Sequence, residues 1–190
     1  MWIVGHSYVY WGARRADARP EGRQLGIPRG EARIRWLGNR GMGWGRVLPE
    51  VQHYARLDRP PDVLILHVGG NDLGIRPIGD LITAVKADVL TFRAAYPGML
   101  LVWSDIIART TWRMARSVWR LNKGRIKVNK VIGRFVVRHG GLVVRHMELE
   151  ENVGLYLSGD GIHLSDVGME LWFLDFQEGI QRALRVWRGP

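Results

Sequence analysis

No cysteine occurs anywhere in the chain, which excludes disulfides, thiolate metal sites and a cysteine nucleophile. There is no run of about 18 uncharged apolar residues, the length a membrane-spanning helix needs. The first residues show no basic segment leading into an apolar stretch and a cleavage site, so no secretory signal is visible. From these absences the expectation is an intracellular protein, cytoplasmic or nuclear. Internal repeats, low-complexity segments and linker-like stretches are also missing, so one domain over residues 1–190 is expected. Acidic residues are in deficit: 18 Asp and Glu against 28 Lys and Arg leave a formal net charge of +10. An excess of that sign favours anionic partners through long-range attraction. Between Ala108 and His146 there is no acid at all.

What is present suits a packed globule: 46% hydrophobic residues and nine tryptophans are too many for a disordered tail. Apolar runs of strand length recur as "WIV" (2–4), "ARIRWL" (32–37), "DVLILHV" (62–68), "MLLVWS" (99–104) and "GLVVR" (141–145). Between them lie stretches with helical spacing. Residues 80–95 place Leu81, Ile82, Val85, Val89 and Phe92 on one side, and residues 166–187 do the same with Val167, Leu171, Leu174, Ile180, Leu184 and Trp187. Strands alternating with helices predict a parallel sheet covered on both faces. "DVLILHV" is apolar throughout, as a central strand should be, and Pro60–Pro61 and Gly69–Gly70 mark its ends. The region 12–31, rich in Gly, Arg and Pro, reads as a long loop after a short helix.

In such sheets ligands sit beyond the carboxyl ends of the strands, and each polar motif falls at one of those ends. "IVGHSYVYW" puts Ser7 after the first strand. "GNRGMGW" (38–44) follows the second, with glycines that let a backbone N–H approach a ligand. "HVGGNDLG" (67–74) follows the third and offers the Asn71 carboxamide. "SGDGIHLSDVG" (158–168) sets Asp160 three residues before His163, with Ser165 placed to cap the last helix. Each has a plainer alternative. Ser7 alone is a turn serine, Asn71–Asp72 a turn or helix cap, Asp160–Gly161 a turn, and His163 a surface or hydrogen-bonded histidine. All four alternatives would have to hold together, in this order and each at a strand end.

This set of stretches resembles the SGNH hydrolase family, also called GDSL-type esterases, over residues 3 to about 168. "VGHS" is similar to the first block of that family, "RGMGW" to the second, "GGND" to the third and "DGIH" to the fifth. The resemblance implies a flavodoxin-like three-layer α/β sandwich, with a five-stranded parallel sheet in the order 2-1-3-4-5. It implies Ser7 as nucleophile, with His163 and Asp160 completing a triad. The implied oxyanion donors are the N–H groups of Ser7 and Gly41 (Gly43 being the alternate) and the Asn71 amide. Catalysis would then need no metal and no cofactor, and the substrate would be a small acyl ester. His6 departs from the pattern, since the family usually has Asp there. The "GHSY…W" opening is also similar, more loosely, to SGNH domains in polyproteins of vertebrate retroelements.

His67, inside the buried-strand pattern, is expected in the core. His53, His139 and His146 share no ligand spacing with carboxylates, and "GMGWG" lacks the Lys-Ser/Thr of a phosphate loop. The acid-free segment holds eleven Arg or Lys. Arg109, Arg113, Arg116, Arg120, Lys123, Lys127, Lys130, Arg134 and Arg138 recur every three or four residues, as a stripe along a helix. Met114, Val118, Leu121, Val128, Ile132 and Phe135 supply an apolar stripe opposite. The stripe reads as a solvated face or as a surface for RNA, DNA or anionic lipid, with Arg113, Arg116, Arg120 and Lys127 as candidate phosphate contacts. The rival to an esterase is a nucleic-acid or membrane-surface module with a vestigial hydrolase site. Pocket walls are expected from the 12–31 loop and the 105–112 turn.

Overall fold

The computed structural model describes residues 1–112, 114 and 116–189. The five apolar runs form β1 (Trp2–Gly5), β2 (Arg35–Gly38), β3 (Val63–His67), β4 (Leu100–Ser104) and β5 (Leu142–Val144). They make one parallel sheet in the order β2-β1-β3-β4-β5, the flavodoxin-like order expected. The helices are α1 (Ser7–Asp17), α2 (Val47–Leu57), α3 (Ile78–Ala95), α4 (Val118–Arg138), α5 (Met147–Glu151), α6 (Val153–Tyr156) and α7 (Asp166–Arg188). None of them is long and apolar enough to cross a membrane, among the described residues.

The period of two along each strand sorts its side chains between two cores. Ile3, Val63, Ile65 and Val102 face α1 and α7, where they meet Tyr8, Val9, Trp172, Phe173 and Phe176. Val4, Leu64, Leu66 and Trp103 face the other way, onto Val47 and Val51 of α2, Val85 and Phe92 of α3, and Val128 and Ile132 of α4. Burying one such large side chain contributes about 1.5–3 kcal/mol, so both layers are needed to flatten the helices against the sheet. Gly5 pairs with His67 across β1 and β3. A Cβ there would collide with the His67 carbonyl oxygen and with Val9, so only glycine lets α1 start this close to the sheet.

Three expectations from the sequence need correction. The buried face of α7 is Met169, Trp172, Phe173, Phe176, Ile180, Ala183 and Leu184, whereas Val167, Leu174 and Trp187 are exposed. The large aromatics claim the core and rotate the helix away from the aliphatic side. The basic helix starts only at Val118, with Ser117 capping it by accepting the Arg120 N–H; Arg109 and Arg116 precede it, and Met114 and Val118 are exposed. Finally, α1 runs to Asp17, so the irregular connection is shorter than 12–31, and a turn at Gly22–Gln24 and Leu25 and Ile27 in the core tie it down. Ser165 caps α7 as expected, accepting the Gly168 N–H at 3.2 Å.

Beneath the carboxyl ends of the strands a polar chain crosses the core. His146 donates from Nδ1 to the Asp175 carboxylate at 2.7 Å. Its Nε2 must then accept from the Ser104 hydroxyl, 2.9 Å away, and Ser104 Oγ accepts from His67 Nδ1 at 2.8 Å. His67 is buried as expected, but its Nε2 has no hydrogen-bond partner among the described residues. Burial pushes the His67 and His6 imidazoles well below their usual 6.5, helped by the Arg109 charge beside both.

These two neutral histidines set a pH dependence of stability. Below 6.5 the unfolded chain takes up protons that the folded chain refuses. Stability is therefore full above that pH and is lost as pH falls, by up to about 1.4 kcal/mol per pH unit for each group. Asp105, pushed up to about 6 by burial, works in the opposite sense below that pH but is a single group. The Tm should fall between pH 7 and pH 5.5, and His67→Phe should reduce the slope by about half. A flat Tm over this range would show that both imidazoles charge inside the fold.

Candidate active site

Between β1 and β3 the chain connections diverge, and the loops that leave these strands open a cleft. Ser7 opens α1 directly after β1, and the Asn71 loop leaves β3. A cavity of about 420 Å³ there is lined by Ser7, Arg40, Gly41, Asn71, Trp112 and His163, among others. The structure thus brings together residues that the sequence spreads over 156 positions.

His163 Nε2 lies 3.1 Å from Ser7 Oγ, so the hydroxyl can donate to it. On the other side of the ring, Nδ1–H donates to Asp160 Oδ2 at 2.6 Å, which fixes the tautomer. Asp160 Oδ1 accepts from the Ser158 hydroxyl and from the N–H groups of Ile162 and His163, at 2.8–2.9 Å. Burial pushes this carboxyl up, but the hydrogen bonds from His163, Ile162 and Ser158 outweigh it and hold the group well below the usual carboxylate range. Asp160 is therefore an anion at neutral pH. The arrangement can move a proton from Ser7 to His163 and stabilise the resulting imidazolium.

The two glycines of "RGMGW" face different neighbours. Gly41 lines the Ser7 cavity with φ +74°, a left-handed value that favours glycine. Gly43 instead faces the Asp72 carboxylate, which a Cβ would approach to 3.2 Å. Asp72 accepts the Trp44 N–H at 2.9 Å and so fastens the second block to the third. Asn71 donates from Nδ2 to the Met42 carbonyl at 3.0 Å, while its Oδ1 accepts from Arg109 at 3.4 Å. That leaves the second Nδ2–H available at the cavity wall.

Arg109 was expected on the basic stripe; it is buried instead, and it also donates to the Gly70 carbonyl at 3.4 Å. Its guanidinium lies 4.9 Å from the Trp112 ring centroid. Sequence spacing hid this, because a residue every three or four positions fits a helix that has not yet begun. Arg109 lies outside every motif, and Arg40, Asp72 and Tyr8 lie within the quoted stretches but carried no assigned role there. The cavity walls match the expected 105–112 turn through Arg109 and Trp112 but include nothing from 12–31. Trp11 and Met169 line a second hollow of about 380 Å³ on the far side of His163, reaching Arg40.

His6, where the resemblance leads one to expect Asp, caps the first helix. Its Nδ1 accepts the Tyr8 N–H at 3.4 Å and caps α1. A neutral imidazole with a bare Nδ1 is such an acceptor, and burial keeps it neutral.

Of the candidate phosphate contacts, Arg116, Arg120 and Lys127 are exposed and none of them lines the Ser7 cavity; Arg113 lies outside the described residues. Arg120, Lys123, Lys127, Lys130, Arg134 and Arg138 all stand on the solvent side of α4.

Residues 3–171 match the GDSL-like lipase/acylhydrolase family. No curated protein matches the chain. Among solved structures, a family 3 carbohydrate esterase from Clostridium thermocellum is similar at 19% identity and a TM-score of 0.70, over 97% of this chain and 98% of that one. A GDSL-like lipase from Bacteroides thetaiotaomicron aligns at 12% identity and a TM-score of 0.74, over 96% and 87% of the two chains. A psychrotrophic esterase from Pseudoalteromonas, in a structure inhibited by monoethylphosphonate, gives 16% and 0.66, over 96% and 97%. At these identities the likeness establishes the fold. None of these matches bears on the looser likeness to retroelement domains.

The cap reading of His6 predicts an order of stabilities. His6→Leu removes the acceptor and should cost about 1 kcal/mol. His6→Asp keeps an acceptor beside Arg109 and should cost less. Urea midpoints should rank His6→Asp above His6→Leu; the reverse order would mean that the imidazole matters for packing and not as a cap.

Proposed function

The chain belongs to the GDSL-like lipase/acylhydrolase family, and from that premise we propose that it cleaves small acyl esters through an acyl-serine intermediate on Ser7. The family makes it a carboxylic ester hydrolase; the intermediate and the residue roles are our reading of the site. The observation that carries it is the Asp160–His163–Ser7 line of hydrogen bonds, at 2.6 and 3.1 Å, ending at a cavity that Gly41 and Asn71 also line.

The steps follow from that geometry. Ser7 Oγ attacks the ester carbonyl as His163 Nε2 takes its proton, and the carbonyl π electrons move onto oxygen. The oxyanion is met by the N–H groups of Ser7 and Gly41 and by the Asn71 amide, donors that need not reorganise. The intermediate collapses, the ester C–O bond breaks, and His163 returns the proton to the leaving alcohol oxygen. Water then repeats the sequence on the acyl-Ser7 ester and releases the acid. Asp160, ionised throughout, stabilises the imidazolium in both halves. No step requires a cofactor. A cavity of about 420 Å³ suits a small acyl group, and the intact line of bonds argues for a working site over a vestigial one.

A second reading concerns α4. Arg120, Lys123, Lys127, Lys130, Arg134 and Arg138 of α4, with Arg116 just before it, are all exposed, and the segment 108–146 that carries them holds no acid. We propose this face as a contact surface for a phosphate polyanion, separate from the cleft.

Two experiments test these readings. A fluorophosphonate should label Ser7, in keeping with the phosphonate-inhibited Pseudoalteromonas esterase. Ser7→Ala should abolish turnover of a chromogenic acetyl ester, and Asn71→Ala should lower kcat by about 10²–10³ with little change in KM. Labelling of another serine, or full turnover by Ser7→Ala, would remove the nucleophile assignment. For α4, binding of single-stranded RNA should weaken steeply with salt, and Arg120→Gln, Lys127→Gln and Arg134→Gln together should flatten the log–log slope by about two units. An absence of salt-sensitive binding would leave the face merely solvated.

A further inference from the structure

The turn that carries His163 spans Ser158 to His163 and lies outside the sheet. Its own hydrogen bonds hold it together: Asp160 collects the N–H groups of Ile162 and His163, and Ser158 N–H donates to the His163 carbonyl at 2.7 Å. Thr110 and Thr111 donate their N–H groups to Gly161 at 3.0 and 3.1 Å, anchoring it to the loop after β4. None of these bonds reaches the helix that carries Ser7. One side-chain bond does. The Tyr8 hydroxyl donates to the carbonyl of Ile162, the residue just before His163.

Resting on the serine-esterase reading above, we propose that Tyr8 is a positioning residue that holds the general base His163 against Ser7 by clamping the Ile162 carbonyl. The geometry suits the task. Tyr8 follows Ser7 in the chain and lies in the first turn of α1, so nucleophile and clamp move as one rigid body. Its ring is buried and fixed on three sides. It stacks on His67 at 5.4 Å and 21°, and meets His6 at 5.1 Å and Trp172 at 6.4 Å, both edge-on. His67 cannot swing away, because Ser104, His146 and Asp175 hold it in line. The polar chain in the core therefore fixes the platform on which the clamp rests. A tyrosine loses little on being fixed, having two side-chain torsions, and its hydroxyl reaches a partner that an aliphatic residue could not. Burial pushes the phenol up to about 12, so it remains a donor across the working pH range.

Apart from the Ser7–His163 bond itself, this is the hydrogen bond that joins the His163 turn to α1 among the described residues. A base displaced by about 1 Å loses about 10²-fold in rate, so the effect of losing the clamp should be kinetic more than thermodynamic.

Tyr8→Phe is the test, since it keeps the ring and its stacking and removes only the hydroxyl. We expect kcat on a chromogenic acetyl ester to fall about 10–100-fold, with KM changed by less than about twofold. Fluorophosphonate labelling of Ser7 should slow in parallel. 3-Fluorotyrosine at position 8, which keeps a donor, should restore wild-type kcat. In a His163→Ala background the same Tyr8→Phe change should have no further effect on the residual rate, because it acts through a group already removed. An undiminished kcat in Tyr8→Phe, an equal loss in the His163→Ala background, or failure of Tyr8→Phe to fold would overturn the proposal in favour of a packing role. If Ser7→Ala or His163→Ala retains full turnover, the esterase reading itself fails; if both lose it while Tyr8→Phe does not, only the clamp is wrong.

Discussion

The hydrogen bond between Ser7 and His163 joins residues 156 positions apart, and most of the architecture serves to keep its two ends within reach. Neither residue is special alone: a serine hydroxyl is a weak nucleophile and a half-exposed histidine a common one. In the proposed mechanism, reactivity arises only when the proton can leave Ser7 along a fixed line. That requires β1 and β3 to end side by side, α1 to start without slack after Gly5, and the His163 turn to stay docked. Gly5 and the apolar continuity of the central strands meet the first two requirements. The third falls to a short set of hydrogen bonds from Tyr8, Thr110 and Thr111.

The core beneath the site is unusually polar for a parallel sheet covered on both faces. Ser104, His67, His146 and His6 are all buried there. A buried donor or acceptor without a partner costs about 1–3 kcal/mol, so the run from His67 through Ser104 and His146 to Asp175 has to be complete to be tolerable. It is complete at every atom except His67 Nε2, which abuts aromatic rings. Such a chain is worse than leucine for stability but better for uniqueness: its hydrogen bonds fix each ring at one orientation, where an aliphatic core would allow several. Rigidity under the nucleophile is what a preorganised site needs.

Much of this was legible in the sequence, and the misses share a cause. Fully buried parallel strands read as unbroken apolar runs, so "DVLILHV" and its neighbours located the sheet. Ser7, Gly41 and Asn71 stood out in the stretches that follow β1, β2 and β3, and the family resemblance picked out Asp160 and His163, whose turn follows α6 and not a strand end. The errors came where spacing alone had to decide orientation. On α7, aliphatic positions such as Val167 and Leu174 fit a helical face, but Trp172, Phe173 and Phe176 have more area to bury and turn the helix to suit themselves. Ahead of α4, Arg109 kept the rhythm of the basic stripe although its backbone is not helical. Nothing local distinguishes it from Arg120. What draws it inward is the Gly70 carbonyl and Asn71 Oδ1, 38 or more residues away, which no window along the chain contains. Tyr8 was silent for the same reason, its partner being 154 residues distant.

In the proposed mechanism, the placement of Arg109 bears on how the Asn71 donor is oriented. Burying a guanidinium is costly unless its protons are used, and here its partners include the Gly70 carbonyl and Asn71 Oδ1 behind the cleft. By bonding to Asn71 Oδ1, Arg109 fixes which way the carboxamide faces, since only the NH₂ end is then free to turn toward Met42 and the cavity. It also draws electron density toward the oxygen, leaving the Nδ2–H a stronger donor in a site of low dielectric. In the proposed mechanism, the positive charge acts on the developing oxyanion through the Asn71 amide. Stabilisation that is already oriented before the reaction needs no reorganisation when charge develops. The same cation lies beside His6 and His67 and helps keep both neutral, so one buried arginine couples the oxyanion side of the cleft to the polar core that supports its nucleophile side.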